Sequence, residues 1–195
     1  MEIDTHCEKV GAGRSDLIEE LLTADLVILA TGDWAAEGAL NSAWLKSPGC
    51  SDLIVTWMEA HAFSAHSVHL RRDPFQGCLQ CGLSGVGKPK LEVIKWSNDQ
   101  MLQVPACGGL FMPYGPVGLA MATTLVAEHC VDVLCAGDDR MNHRSWLGEK
   151  GSIKSAGGQW SNTWVEEMGD PGNGSERTSR VWRRDMECPA CKSHA

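Results

Sequence analysis

Four cysteines of this chain have the type and spacing that suit a tetrahedral metal ion. Cys78 and Cys81 form one Cys-x-x-Cys pair, and Cys188 and Cys191 form a second pair far downstream. Each pair can present two thiolates to one side of an ion, and four sulfur ligands are typical of structural zinc. The cost of closing a loop grows only logarithmically with its length, so the long separation is no obstacle. We therefore predict one shared zinc ion, with a redox dithiol or unrelated buried thiols as the alternatives.

The composition predicts one globular domain and excludes several classes of function. The chain has 195 residues, 43% of them apolar, which is enough for one hydrophobic core. Its net charge of −8 provides no general attraction for nucleic acid or anionic lipid. The first residues lack the apolar segment of a signal peptide, and no uninterrupted apolar run approaches the ~20 residues of a membrane span. We expect a cytoplasmic protein without membrane or nucleic-acid binding, whose nine cysteines serve metal binding and thiol chemistry.

The elements that must position the cysteines begin with an alternating pattern near the N-terminus. Apolar residues at helical spacing predict a short amphipathic helix at 15–23. The run DLVILAT, 25–31, predicts a strand buried on both faces, and a helix follows it from a cap at Asp33. DLIVTWM, 52–58, predicts a second strand, so strand, helix and strand form a parallel crossover. The fold class is therefore predicted to be α/β.

The second half of the chain has fewer periodic segments. SVHLRR, 67–72, predicts another short strand, and the apolar stretch 116–137 predicts a long buried helix with Pro116 in its first turn. The polar and glycine-rich stretch 138–178 is interpreted as an irregular insertion. SRVWRRDM then predicts one last strand that leads into the second cysteine pair.

The sequence contains no complete nucleotide-binding unit of strand, glycine-rich turn and helix. GAGRSD, 11–16, has Gly-x-Gly but no strand before it. GLSGVGKP, 82–89, has the glycine and lysine spacing of a phosphate-binding loop, but Pro89 replaces the hydroxyl residue that would bind magnesium. Neither segment is therefore predicted to hold phosphate.

Histidines provide a weaker second candidate for metal binding. Glu59, His61, His66 and His69 lie close together in WMEAHAFSAHSVHL. Across a strand, turn and strand these side chains need not converge, and hydrogen-bonded imidazoles are the simpler interpretation.

Two segments resemble a known family. ADLVILATGDWAAEGALN, 24–41, is similar to a segment of ThiF/MoeB-type adenylyltransferases, the activating enzymes of ubiquitin-like proteins. There a buried strand ends in a turn with Thr and Asp, and a helix follows that carries Leu-Asn. The first cysteine pair, a Cys-Gly segment, a long helix and the second cysteine pair then come in the family's order. TWMEAHAFSAH, 56–66, resembles the bacterial activating enzymes of antiphage operons and other conjugation systems.

The resemblance runs from about Asp25 to Cys191 and matches the second half of the family domain. It implies that 1–195 is the C-terminal part of a Rossmann-like adenylation domain, with the four cysteines holding structural zinc rather than acting in catalysis. The glycine-rich nucleotide loop belongs to the family's N-terminal half. We therefore expect a fragment, or one half of a split enzyme.

The activity that the resemblance implies is adenylation by Mg-ATP of the C-terminal glycine of a small ubiquitin-like or sulfur-carrier protein. Many members then pass the acyl group to a cysteine. The implied partners are that small protein, a conjugating enzyme and a second copy of the complete chain. Asp33 corresponds to the acid that orients magnesium or the nucleotide phosphates, although the common family turn has its Asp where Gly32 stands here. The alternative is that Asp33 only caps a helix.

Cys107, in VPACGGLFMPYGP, stands where the family's acyl-accepting or sulfur-relay cysteine falls. The glycines Gly108 and Gly109 would let a peptide carboxylate approach the thiol closely. The alternative is an ordinary thiol in a flexible loop. Cys130 and Cys135 lie within the predicted long helix and are expected in the core.

Two other functions compete with adenylation. One is a zinc-containing scaffold or binding subunit that keeps the fold without catalysis, which the missing glycine-rich loop favours. The other is a cysteine-based oxidoreductase, which is disfavoured because neither cysteine pair opens a helix after a strand.

Overall fold

A computed structural model of the protein describes residues 15–73, 75–83, 89–103, 110–136 and 141–192. A 3₁₀ helix spans Leu79–Gly82. In chain order, the helices and strands are α1 (Ser15–Leu21), β1 (Leu26–Leu29), α2 (Trp34–Lys46), β2 (Asp52–Met58), β3 (Ser64–Leu70), β4 (Ile94–Trp96), β5 (Leu102–Gln103), β6 (Leu110–Phe111), α3 (Pro116–Ala136), β7 (His143–Glu149), α4 (Lys150–Ser155), β8 (Gly158–Trp160), α5 (Asn162–Met168) and β9 (Gly174–Arg180).

The central sheet contains five strands in the order β1-β2-β3-β7-β9. β1 and β2 are parallel, with Leu26 opposite Asp52, and α2 lies between them in the chain. The pairs β2–β3, β3–β7 and β7–β9 are antiparallel. The prediction of an α/β fold with a parallel strand–helix–strand unit is confirmed, and the sheet as a whole is mixed.

Successive side chains of a strand point to opposite faces, which divides the sheet into two packing surfaces. One of them, here called the α2 face, packs with α1, α2 and the two cysteine pairs through Leu53, Val55, Val68 and Leu70. On the opposite face, Ala65 of β3 packs against Ala122 and Leu125 of α3. The cysteine pairs therefore belong to the larger core.

The described part of the stretch predicted to be irregular, 141–178, forms strands and helices, so the prediction of irregular structure is wrong there. Its strand β7 pairs with both β3 and β9 in the central sheet. The physical reason is that β7 carries buried polar residues, His143 and Ser145, where an inward-facing strand normally carries apolar ones. A second hydrophobic cluster links this stretch to β4 and to the loop before it, through Leu91, Val93, Ile94, Leu147, Ile153, Trp160 and Trp164.

Two strand predictions need correction. β1 lies at the edge of the sheet, and its Ile28 is 49% exposed, so it is not buried on both faces. The last strand, β9, ends at Arg180. The chain then continues to the second cysteine pair through Trp182, which is almost completely buried.

The long helix α3 is confirmed, but the prediction that it is buried is wrong. Ala122, Leu125 and His129 are buried, whereas Val131 and Leu134 on its outer side are 58% and 60% exposed. By length and composition Pro116–Cys135 could cross a membrane, with a mean hydropathy of 1.4 and 22% of its most apolar window buried. A single such helix, packed along a sheet, is a weak indication of a membrane span.

Candidate metal centre

Four thiols meet in the core of the α2 face. The Sγ atom of Cys78 lies 3.7 Å from that of Cys188 and 3.9 Å from that of Cys81, which in turn lies 3.4 Å from the Sγ atom of Cys191. All four residues are buried, and their sulfur atoms lie within 4.8 Å of one another. A disulfide would require about 2.05 Å between sulfurs, so these thiols are unpaired. The prediction that the two pairs come together is confirmed.

The separations fit a tetrahedral thiolate site. A Zn–S bond of about 2.3 Å places the corners of a regular tetrahedron about 3.8 Å apart. The three short sulfur–sulfur distances, from 3.4 to 3.9 Å, lie close to that value. The group could therefore hold a metal such as zinc with four protein ligands, an arrangement typical of structural sites.

The surroundings disfavour the thiolate form of two of these cysteines. The pKa of the Cys81 thiol is raised mainly by a hydrogen bond with Cys78 and also by burial. Burial raises the pKa of the Cys188 thiol as well. Metal ligation requires thiolates, so binding an ion would release protons.

Outside the cluster, a hydrogen bond with Asp185 raises the pKa of the Lys90 ammonium, whose Nζ lies 2.5 Å from the carboxylate.

The first cysteine pair is positioned by α2 and by the chain before the second pair. The backbone N–H of Cys81 donates to the carbonyl of Cys78 at 3.0 Å, which closes the turn. Asn41 of α2 is fully buried, and its Oδ1 accepts from the N–H of Leu79 at 3.0 Å. The indole N–H of Trp182 donates to the Cys78 carbonyl at 3.0 Å.

Hydrogen bonds of backbone groups near the two pairs connect them, in addition to the contacts between their sulfur atoms. The N–H of Gly77 donates to the carbonyl of Trp182 at 3.1 Å. Gly82 lies against the same indole, since a Cβ added there would meet the ring at 1.8 Å. The guanidinium of Arg184 donates to the carbonyl of Cys191 at 2.7 Å. Sequence reasoning identified the four cysteines but did not find the groups that hold them in place.

Asp33 is a helix cap in the structure. Its Oδ1 accepts from the N–H groups of Ala35 and Ala36 at 3.0 and 3.1 Å. The first turn of α2 is therefore stabilised by this carboxylate, which is the alternative that the sequence left open. Among the described residues, Asp33 belongs to no group of side chains that could hold a metal ion.

The sequence reasoning missed a second carboxylate in the same turn. Glu37 is 2% exposed, and its Oε1 accepts from the hydroxyl of Thr31 at 2.7 Å. The N–H groups of Thr31 and Gly32 donate to the same oxygen, each at 3.2 Å. Gly32 has a φ of 66°, a conformation that favours glycine, so the turn after β1 is fixed by Glu37.

Cys107 lies outside the described residues, and its role as acceptor stays a prediction. The prediction that Cys130 and Cys135 lie in the core is wrong for Cys135, which is exposed, while Cys130 is half-buried. Only one face of α3 contacts the sheet, and Cys130 and Cys135 are not among the residues that pack there.

Glu59 and His66, two of the four residues considered for a second metal site, belong to a buried hydrogen-bond chain. Nε of Arg180 donates to Nδ1 of His143 at 3.0 Å. Because burial lowers the pKa of His143, this ring is neutral and carries its proton on Nε2. That nitrogen lies 3.0 Å from Nδ1 of His66, and Nε2 of His66 lies 3.0 Å from Oε1 of Glu59. The four side chains thus form one chain of polar contacts from Arg180 to Glu59.

The remaining histidines have separate partners. Nε2 of His61 lies 2.7 Å from Oε1 of Gln100, and Nε2 of His69 lies 2.9 Å from Oδ2 of Asp52. In the ranges that the structure describes, these residues form no candidate metal cluster. The interpretation of the histidines as hydrogen-bonded side chains is confirmed for the described residues.

Comparison with known proteins leaves the family open. The chain matches no protein-family model and no curated protein. The function is therefore argued from the site and from the sequence resemblance.

Proposed function

We propose that the protein is the C-terminal part of a ThiF/MoeB-type enzyme that activates a ubiquitin-like or sulfur-carrier protein, with one structural zinc ion. The observation that carries the proposal is the convergence of two distant cysteine pairs on one buried point beside α2. The parallel β1–α2–β2 unit supports it, because the resembling segment begins in that unit.

The proposed zinc ion has a structural role. Four thiolates would occupy every position of a tetrahedral ion, which leaves no position for water or substrate. The ion would supply a link between the middle of the chain and its last residues, because Cys78 and Cys188 are 110 positions apart. This link would fix the strands and α2 on which the proposed activity depends.

The proposed reaction has two steps. A carboxylate oxygen of the modifier's C-terminal glycine attacks the α-phosphorus of ATP, and pyrophosphate leaves. In members that form a thioester, a cysteine thiolate then attacks the acyl carbon and AMP leaves. Asp33 is the proposed group for orienting magnesium or phosphate, and Cys107 is the proposed acceptor. The glycine-rich phosphate loop is proposed to come from a separate N-terminal half.

One observation favours a second function, a zinc-containing scaffold without catalysis. The Asp33 carboxylate already accepts two backbone N–H groups, so its position is explained without a ligand. A scaffold would keep this cap, the metal centre and the sheet, and it would need no nucleotide.

The test separates these two functions by a substitution that keeps the cap. Asn caps helices about as well as Asp, so Asp33→Asn should leave stability nearly unchanged. We expect exchange of pyrophosphate into ATP, dependent on a glycine-terminated ubiquitin-like protein, when the chain is combined with its N-terminal half. Asp33→Asn should lower that exchange about tenfold or more, because one ligand charge of a metal site is lost.

The matched control is Asp170→Asn, which changes an exposed carboxylate whose Oδ1 accepts from Gly172 in a surface turn. It should leave the exchange rate unchanged. Exchange that is unaffected by Asp33→Asn would contradict the role of Asp33. Absence of exchange with every glycine-terminated modifier tested, in a zinc-loaded and folded sample, would favour the scaffold.

A further inference from the structure

A cavity lies beside the metal centre, at the C-terminal end of α2. It has a volume of about 280 Å³, near the lower end of the range for small-molecule sites. Trp44 and Leu45 of α2 line it, together with Cys78 and Cys191. The thirteen residues of α2 span about 20 Å, so the cavity lies at the other end of this helix from Asp33.

Three arginines and one aspartate supply the charges of the cavity wall. Arg71, Arg72 and Arg184 line it together with Asp73, so the side chains of this wall carry two more positive than negative charges. The chain as a whole is acidic, with a net charge of −8. A local excess of guanidinium groups in an acidic protein is therefore a specific feature of this cavity.

The arginines are held in fixed positions. Arg72 donates to the carbonyl of Trp44, and its guanidinium lies 5.4 Å from the centre of the indole ring. Arg184 donates to the carbonyl of Cys191, and a nitrogen of Arg71 lies 3.7 Å from Oδ2 of Asp73. A guanidinium has five N–H donors in a planar fork, so each contact orients the group and uses only part of its donors.

A buried acceptor completes the wall. Oε1 of Gln76 is buried, and among the described residues no donor reaches it. Buried polar atoms in native proteins usually have a partner, so this oxygen indicates a ligand or water that donates a proton. The cavity thus combines several donors for anionic oxygens with one acceptor for a hydroxyl.

We propose that this cavity binds a phosphate group. Hydrogen phosphate has charged oxygens for the guanidinium groups of Arg71, Arg72 and Arg184, and it has a P–OH group that can donate to Gln76. Sulfate has the same shape and a similar charge, but at neutral pH it carries no proton. The site should therefore prefer phosphate to sulfate.

A competing role for the arginines follows from the metal centre. Four thiolates and one Zn²⁺ carry a formal charge of −2, and Cys78 and Cys191 belong to the cavity wall. The arginines could then serve only to balance that charge. The two roles differ in what the loss of an arginine changes, because one predicts loss of phosphate binding and the other predicts loss of metal.

The test is isothermal titration calorimetry of the zinc-loaded protein with inorganic phosphate and with sulfate, at one ionic strength. We expect phosphate to bind about tenfold or more tightly than sulfate, since a hydrogen bond to the buried acceptor is available only to phosphate. Arg71→Gln should weaken phosphate binding about tenfold, with the zinc content unchanged. Arg177→Gln, which removes an exposed arginine paired with Glu128, is the matched control and should have no effect.

A second variant keeps the inference testable if Arg71→Gln does not fold. Gln76→Met removes the acceptor at similar size, and it should abolish the preference for phosphate over sulfate. A phosphate monoester such as glycerol 3-phosphate, titrated in parallel, distinguishes a site for free phosphate from one for an esterified phosphate. Equal binding of phosphate and sulfate, no binding of either, or loss of zinc without a change in phosphate affinity would each overturn the inference.

Discussion

Removal of the metal should strongly destabilise the protein, because the four thiols join parts of the chain that are distant in sequence. Cys78 and Cys188 are 110 positions apart, and Cys81 and Cys191 have the same separation. Without the metal, only weak hydrogen bonds between buried thiols would join the two cysteine pairs through their sulfur atoms. A chelator therefore removes the metal cross-link between these distant segments.

The loss of unfolding free energy on metal removal can be estimated from the length of the loop that the metal closes. One cross-link over 110 residues lowers the entropy of the unfolded chain by an amount worth about 5 kcal/mol at 25 °C. Whole domains have unfolding free energies of about 5–15 kcal/mol, so this loss is a large fraction of the total. With a urea slope of about 2 kcal/mol per molar, the unfolding midpoint should fall by about 2.5 M.

The assay is urea unfolding, followed by tryptophan fluorescence, before and after chelation, with zinc measured in the same samples. Cys188→Ser should reproduce the effect of the chelator, because it removes one buried ligand. Cys135→Ser, at an exposed position on α3, is the control and should retain both zinc and stability. A midpoint that stays in place after the zinc has been removed would refute the reasoning, as would full zinc content in the Cys188→Ser protein.

Three further predictions concern other parts of the molecule. Asp33→Ala should lower the unfolding free energy by about 1 kcal/mol, measured by urea unfolding, because α2 loses its cap. Since burial lowers the pKa of His143, the unfolding free energy should fall as the pH drops below about 6.5, by up to about 1.4 kcal/mol per pH unit. His143→Gln should flatten this dependence of the unfolding free energy on pH. An unchanged slope would show that His143 is not the group responsible. In the zinc-loaded protein a thiol reagent should label Cys135 before Cys188, as mass spectrometry of the peptides can check.

The sequence allowed the apolar and the motif-bearing parts of the fold to be predicted. β2 was predicted at its observed bounds from a run of apolar residues, and the four cysteines were paired by their spacing alone. β7 was missed because His143 and Ser145 are buried through hydrogen bonds rather than through apolar packing. Local sequence does not report such partners, since His66 is 77 positions away from His143. The arginine cavity was missed for the same reason, as its walls come from distant segments.

Trp182 connects the metal centre to the histidine chain on the α2 face. Its indole N–H donates to the carbonyl of Cys78, and its ring lies 5.2 Å from that of His143 and 6.1 Å from that of Trp57. Trp57 in turn stacks on His66 at 4.6 Å. Loss of the metal would free the backbone that holds Trp182, and the ring could then no longer exclude water from His143. The metal centre and the neutral state of His143 are therefore coupled through one side chain.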